Sequence, residues 1–274
     1  MKLWVPASAA MVSILLLGAA AAQPDSFRFV VIGDRTGEMQ PGVYERVWKD
    51  AAAERPAFAV GVGDTIEGLH DDQAEAEWTG AQRLWPKTFE LYLAPGNHDI
   101  WSRRSEELFR KYAGHAPHYS FDYGDAHFTV LDNSRSDQFS AAELRFAEED
   151  LEQHADMPLK FIVSHRPSWI VQAIIGDANF PLQQMAKKYG VQYVIAGHLH
   201  EMLHAQVEGI DYVSMVSAGG HLRGTLKYED GWFFGYGVVD VRGREVQFHV
   251  HELGAPFGEG RTTELKQWGP AGLR

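Results

Sequence analysis

Five short apolar runs in this 274-residue chain each end on side chains able to bind a metal or move a proton. "FRFVVIGD" delivers Asp34, "AFAVGVGD" delivers Asp64, and "ELYLAPGNHD" delivers Asn97, His98 and Asp99. "KFIVSH" ends on His165, and "QYVIAGHLH" on His198 and His200. Mixed oxygen and imidazole donors suit Fe, Mn or Zn better than Ca. Taken singly, each ending is weak: Gly-Asp after a strand is ordinarily a tight turn, because both residues favour turns. A lone histidine there is ordinarily a hydrogen-bonded structural residue. The recurrence at successive strand ends is what calls for an explanation.

The elements that would carry these residues alternate. After the strand "FRFVVIG", helical spacing runs through "PGVYERVWKDAAAERP", bounded by proline at both ends. The strand "AFAVGVG" is followed by the helix "DDQAEAEWTGAQRLW", and "ELYLAPG" by the helix "SRRSEELFRKYAG". "HYSFDYGDAHFTVLD" reads as a hairpin turning at Tyr123–Asp125. "SAAELRFAEEDLEQ" opens with the capping-box pair Ser140 and Glu143. "LKFIVSH", the helix "PLQQMAKKYG" and the strand "VQYVIAG" follow. Beyond His200, "EMLHAQV", "IDYVSMVSAGG", "WFFGYGVVDV" and "EVQFHVHEL" read as strands without a helix. This order predicts two sheets packed face to face with helices outside. Ligands of such open sheets collect beyond the carboxyl ends of the strands, where all five polar endings lie.

Composition narrows the function. A hydrophobic content of 45% with 12% aromatics supports a sizeable core. Lys2 followed by "MVSILLLGAAAA" reads as a secretory leader spanning residues 1–22, with the remainder, 23–274, as one domain. The apolar run is short for a membrane span, so no stable anchor is expected. With no cysteine, no disulfide framework exists; leader and composition together point to an exported, periplasmic or secreted protein. The formal charge of −12 disfavours nucleic acid or an anionic membrane surface as principal partner.

The ordered set Asp, Gly-Asp, Gly-Asn-His-Asp, His and Gly-His-x-His resembles the calcineurin-like metallophosphoesterase family. The resemblance implies a four-layer αββα sandwich of two mixed β-sheets flanked by helices, the metallo-dependent phosphatase fold. It implies an ester-bond hydrolase, a phosphatase or phosphodiesterase, that uses two divalent or trivalent metal ions. Such pairs sit about 3.5–4 Å apart, activate water and shield phosphoryl charge. By the same resemblance Asp64 bridges the metals, Asp34 and His200 bind the first, and Asn97, His165 and His198 complete the second. His98 protonates the leaving oxygen, with Asp99 orienting its imidazole; the competing reading of His98 is a hydrogen-bonded turn histidine. The small Gly197 would let the backbone turn so that His198 and His200, two residues apart, reach different metals.

The chain departs from the family pattern at Thr36, where the first motif usually has a histidine. The first site thereby loses a nitrogen donor. Three outcomes are open: a weak site filled only with substrate, a water in place of the imidazole, or another side chain. Glu67, three residues after Asp64, is the candidate substitute, since in the related purple acid phosphatases a tyrosine at the corresponding place is a ligand. Glu67 reads equally as an acid facing solvent or supporting the site from outside.

Arg35 could clamp phosphoryl oxygens bidentately or form a structural ion pair. Arg166 and Arg223 are weaker forms of the same idea. His115, His118 and His221 read mainly as loop residues, and Trp101, Trp169 and Trp232 as core or as contacts for an apolar leaving group. The glycine-rich "SAGGHLRG" follows no βα pattern and is no nucleotide fingerprint. The expected substrate is a small soluble phosphoester, monoester and diester both remaining open, as does the oligomeric state. The competing class is a catalytically idle, secreted metal- or ligand-binding protein on the same fold, motivated by Thr36.

Overall fold

The structure, a computed structural model, describes residues 26–254 and 256–274; the leader expected over residues 1–22 lies outside them. Among the described residues no helix is long and apolar enough to cross a membrane. Strands β1 (Ser26–Ile32), β2 (Phe58–Gly61) and β3 (Glu90–Leu93) pair in parallel. Helices α1 (Val43–Ala53), α2 (Ala74–Leu84) and α3 (Arg103–Ala113) follow them in turn. The second sheet begins with the hairpin β4 (Tyr119–Tyr123) and β5 (Ala126–Val130). Helix α4 (Ala141–Gln153), β6 (Leu159–Val163), α5 (Ile170–Ile175), α6 (Pro181–Tyr189) and β7 (Tyr193–Ala196) continue it. β8 (Leu203–Val207) and β9 (Ile210–Ser214) complete it, in the order β4-β5-β6-β7-β9-β8. The chain then returns to the first sheet as β10 (Gly235–Arg242), β11 (Glu245–Glu252) and β12 (Thr262–Glu264), giving β12-β11-β10-β1-β2-β3. A two-stranded piece, β13 (Trp268–Gly269) with β14 (Gly272–Leu273), ends the chain.

The two-residue side-chain period of a strand builds the layers. In β1, Phe27, Phe29 and Val31 enter the core between the sheets, while Val30 and Ile32 pack with Val47 and Trp78 of the outer helices. The inner core is aromatic. Phe29 stacks on Phe58 at 5.1 Å and meets Phe128 and Phe161 of the opposite sheet edge-on at 5.3 and 5.6 Å. Each such buried ring stabilises by about 2–3 kcal/mol. The core therefore locks the two sheets together, and with them the strand ends on which the polar residues sit. The αββα sandwich is the architecture formed.

Local departures have physical causes. At α4 only half of the capping box forms. Ser140 Oγ accepts from the Glu143 N–H at 3.1 Å, but the Glu143 carboxylate bonds His118 Nδ1 and the Asp132 N–H instead of turning back. Helix α5 carries no sequence signal: it is six residues long, follows a proline and has no side-chain N-cap. The strand read from Trp232 begins at Gly235, and the short C-terminal strands emerge from segments with no clear period.

One buried network lies away from the clustered strand ends. His127 of β5 bonds Asp122 through Nδ1 at 2.7 Å and Asp150 of α4 through Nε2 at 2.9 Å, while its ring stacks on His154 at 3.8 Å. Asp122, His127 and His154 could by position hold a metal, yet both ring nitrogens of His127 already face carboxylates. Burial opposes the charged imidazole, but the two carboxylates outweigh it and raise the His127 pKa. Asp150 is held below the usual carboxylate range, its burial outweighed by hydrogen bonds from His127, Ser120 and Thr129. The sign follows: the His127 contribution is complete below the unfolded histidine pKa of about 6.5 and is lost as pH rises through the folded value. The Asp150 contribution is complete above the unfolded aspartate pKa of about 3.9 and is lost as pH falls. A His127→Gln variant is expected to lose about 3 kcal/mol at pH 5.5 and less at pH 8.5. Denaturant unfolding of both proteins at the two pH values checks this; an equal loss at both would show the imidazole to be neutral.

Candidate metal centre

Asp34, two residues beyond β1, is 1% exposed, and among the described residues neither of its carboxylate oxygens has a hydrogen-bond partner. Its oxygen Oδ2 lies 3.2 Å from His200 Nε2. The other ring nitrogen of His200, Nδ1, bonds the His221 carbonyl at 2.8 Å and must donate to it. In the neutral ring, then, a bare lone pair faces a carboxylate. Burial, assisted by the Arg223 guanidinium, pushes His200 down to about 4, so the ring is neutral at pH 7. Burial, with the Asp64 charge, pushes the Asp34 carboxyl well above the usual carboxylate range, so without a cation a proton takes the place between the two groups.

The neighbouring group repeats the device. His165, two residues beyond β6, donates Nδ1–H to the Val62 carbonyl at 2.8 Å. This turns Nε2 towards Asn97 Oδ1 at 3.1 Å, His198 Nδ1 at 3.1 Å and Asp64 Oδ2 at 3.3 Å. Fixing one ring nitrogen on a carbonyl so that the other is presented is how metal-binding histidines are oriented. Without a metal, a proton takes that place. Burial disfavours the His165 imidazolium, but Asp64 and Asp34 outweigh it and raise it to about 9. Burial raises Asp64 too, yet the His165 charge and hydrogen bond hold it well below the usual carboxylate range. His198 is pushed down to about 4 by burial and by the His165 and Arg166 charges.

Two donor triads result: Asp64, His165 and His198, and Asp34, Asp64 and His200, the ligand atoms within each lying within 4.8 Å of one another. Asp64 belongs to both. The donors, their burial and the unpartnered Asp34 oxygens fit a pair of cations sharing one carboxylate, with Asn97 beside the first triad.

The backbone is distorted where these residues sit. Asp64, His198 and His200 take left-handed φ values of 54°, 71° and 62°, which non-glycine residues adopt at a cost of about 1–3 kcal/mol each and which concentrate at functional sites. This corrects the expectation for Gly197. The turn is made by the histidines themselves; Gly197 is needed for room, since a Cβ there would lie 2.4 Å from Asp34 Oδ1 and 2.6 Å from Val62 Cγ2.

A further expectation is overturned and an open alternative is narrowed. Asp99 does not orient His98: its Oδ1 accepts from the Thr65 N–H at 2.8 Å and its Oδ2 from the Gly96 N–H at 2.9 Å. It ties the loop after β2 to the loop after β3, and burial pushes it up to about 6. His98 is instead held through Nδ1 by the Glu67 carbonyl at 2.5 Å, and its peptide N–H bonds Asp64 Oδ1 at 2.9 Å. Glu67 fits the second of its two readings, an acid outside the donor groups: it enters neither triad, and its Oε1 accepts from the Met39 N–H at 2.8 Å. Thr36 is buried with its hydroxyl unpartnered. Arg35 makes no ion pair among the described residues; its Nη1 donates to the Thr65 carbonyl at 3.0 Å and its guanidinium lies 5.3 Å from the centre of the Tyr44 ring.

Among the weaker candidates, Arg223 is exposed and has neither hydrogen bond nor ion pair among the described residues. A Cβ on Gly37 would lie 3.2 Å from His200 Cε1 and 3.5 Å from Arg223 Nη2, so guanidinium and imidazole border one spot. Arg166 is paired with Asp137. His115 packs on Tyr119, His118 stacks on Phe146, and Trp169 packs on Tyr212. Trp101 and Trp232 crowd Gly68 and Gly224.

Sequence reasoning missed the loop Ser217–His221. The Ala218 and Gly220 N–H groups donate to the Asp34 carbonyl at 2.9 and 3.1 Å, and His221 holds His200. Its signal was the paired glycines: a Cβ on Gly220 would lie 2.0 Å from the Thr36 carbonyl oxygen.

Comparison with known proteins agrees with this geometry. A purple acid phosphatase from yellow lupin (Lupinus luteus) seeds is similar in structure, with a TM-score of 0.64 at 16% identity, over 89% of this chain and 54% of that one. The chain thus spans about half the length of the lupin protein. GAP50, the anchor in the inner membrane complex of Plasmodium, is similar with a TM-score of 0.61 at 13% identity, over 91% of this chain and 89% of that one. At these identities the likeness carries the fold. Comparison with curated protein sequences finds no match. The model of the calcineurin-like phosphoesterases matches residues 27–202, which span all five strand-end motifs. The chain belongs to the calcineurin-like phosphoesterase family.

Proposed function

We propose that this protein is an exported phosphoester hydrolase that works with two metal ions on small soluble esters. The observation that carries the reading is the pair of donor triads sharing Asp64. Asp34, Asp64 and His200 would hold one ion, and Asp64, Asn97, His165 and His198 the other. When bound, such ions lower the pKa of water and draw charge from phosphoryl oxygens.

The chain's own residues do the rest. His98 is half-buried, and the Glu67 carbonyl fixes its ring through Nδ1. Nε2 has no protein partner among the described residues, so as a protonated ring His98 can donate to a departing oxygen from that atom. Its peptide N–H is tied to Asp64, so the general acid moves with the shared ligand and keeps its distance from the metals. Asp99 anchors both loops from below and acts as a positioning residue. Arg223, exposed and unpaired at the edge of His200, is placed to meet phosphoryl oxygens. Export rests on the apolar leader after Lys2.

A second reading has its own observation. Thr36 stands where the family has a histidine, Glu67 does not compensate, and a first site with fewer donors suits an idle metal- or ligand-binding protein. Metal analysis of the purified protein separates the two. The enzyme reading predicts about two metals per chain with chelator-sensitive turnover; one metal and no turnover on any ester favours the binder.

Two substitutions test the assigned roles. His98→Asn is expected to lower kcat by about 10²–10⁴-fold on an alkyl phosphate, with metal content unchanged. The loss should be smaller on an aryl phosphate whose leaving group needs no proton, and steady-state kinetics on both esters read the difference; equal losses would contradict proton donation. Arg223→Met is expected to lower kcat/KM about 10–100-fold without altering metal content, and unchanged kcat/KM would remove Arg223 from the site.

A further inference from the structure

A cleft of 400 Å³ opens between the loop after β6 and helix α5. Pro167, Ile170, Val171 and Leu199 line it together with Arg166, His198 and several further polar side chains, and apolar surface predominates. His198 is the shared wall: it lines the cleft, and its Nδ1 sits 3.1 Å from His165 Nε2 within the donor triad. A larger cleft of 610 Å³ on the other side of α5 touches no donor residue.

The walls are preformed. Asn133 Oδ1 accepts from the His165 and Arg166 N–H groups at 3.2 and 3.0 Å, and Asn133 Nδ2 donates to the Arg166 carbonyl at 2.7 Å. Trp169, buried against Tyr212, anchors α5. With the helix so held, Val171 remains 63% exposed at the cleft. Arg166, the cation of the cleft, is paired with Asp137 at 2.5 Å, so its charge is matched before any ligand arrives. A rigid, mostly apolar hollow with no unpaired charge favours an uncharged apolar group, and its size falls within the range of small-molecule pockets.

We propose that this cleft receives the organic substituent of the phosphoester, and that the substituent is alkyl or aryl rather than charged or strongly polar. The inference rests on the phosphoesterase reading, since His198 must hold a metal beside the phosphoryl group for the substituent to reach the cleft.

A series of ethyl, butyl, hexyl and octyl phosphates tests it, because the leaving alkoxides differ little in basicity and the chemistry stays constant. In the wild type kcat/KM is expected to rise about two- to fourfold per methylene until the cleft is filled. Val171→Asp should flatten that slope. Ile175→Asp, on the same helix but lining the other cleft, should preserve it, which separates cleft contact from disturbance of α5. A flat wild-type series, or equal flattening by both variants, overturns the inference. If no ester is turned over, the phosphoesterase reading fails, and calorimetric binding decides the cleft by itself. Octylphosphonate binding at least tenfold tighter than methylphosphonate, with the difference lost in Val171→Asp, supports an apolar subsite; equal affinities overturn it. A dimer in sedimentation that Val171→Asp dissociates would assign the surface to a second copy of the chain and also overturn it.

Discussion

Electron-pair donors brought face to face in the interior, where only a proton or a cation can separate them, are the constraint on which the rest of the structure depends. Asp34 presents two unpartnered carboxylate oxygens in the interior, and the neutral His200 ring turns its bare Nε2 towards them. A few ångströms away, Asp64, Asn97, His165 and His198 converge on a second point, where the metal-free molecule keeps a proton on His165. Burying an uncompensated carboxylate is costly. The fold tolerates it because the aromatic core between the sheets fixes both sets of strand ends. Left-handed backbone at Asp64, His198 and His200 is part of the same expense. Left-handed backbone at three donors and a buried carboxyl with no hydrogen-bond partner among the described residues meet at one place, which suits a site that receives cations.

The supporting parts are arranged so that the donors cannot drift independently. Asp99 holds the loop after β2 against the loop after β3, and the His98 peptide ties the general acid of the proposed reaction to Asp64. The Ser217–His221 loop, which arrives only after the chain has left the second sheet, grips Asp34 and His200 together. Glycines at 197 and 220 supply the room for these approaches. Thr36 lies in the same loop as Asp34, buried and with its hydroxyl unpartnered among the described residues. On the proposed reading the two metal positions are unequal in donors, three against four, and the chemistry must work with that asymmetry.

Much of this was legible in the sequence, and the reason is periodicity. The alternation in "FRFVVI" sends Phe27, Phe29 and Val31 to one face and Val30 and Ile32 to the other, so strand, layer and the position of Asp34 follow from six residues. The donors were legible because each follows its strand immediately. What escaped were contacts made by backbone atoms and by side chains reaching across the fold. Glu67 read either as a substitute ligand or as an acid outside the site, yet it is its carbonyl that meets His98. Asp99 was expected to meet His98, yet peptide N–H groups claim it. Helix α5 escaped for a different reason: six residues carry too little period to be seen, and its place is set by Trp169 packing on Tyr212.

The most direct test of the shared-carboxylate centre is anomalous X-ray scattering, at the absorption edges of iron, manganese and zinc, from crystals of the purified protein. Two peaks are predicted, one among Asp34, Asp64 and His200 and one among Asp64, Asn97, His165 and His198, both within bonding reach of Asp64. Electron density showing Asp64 in contact with His165 alone, with no anomalous peak in either triad at any of the three edges, would contradict the account.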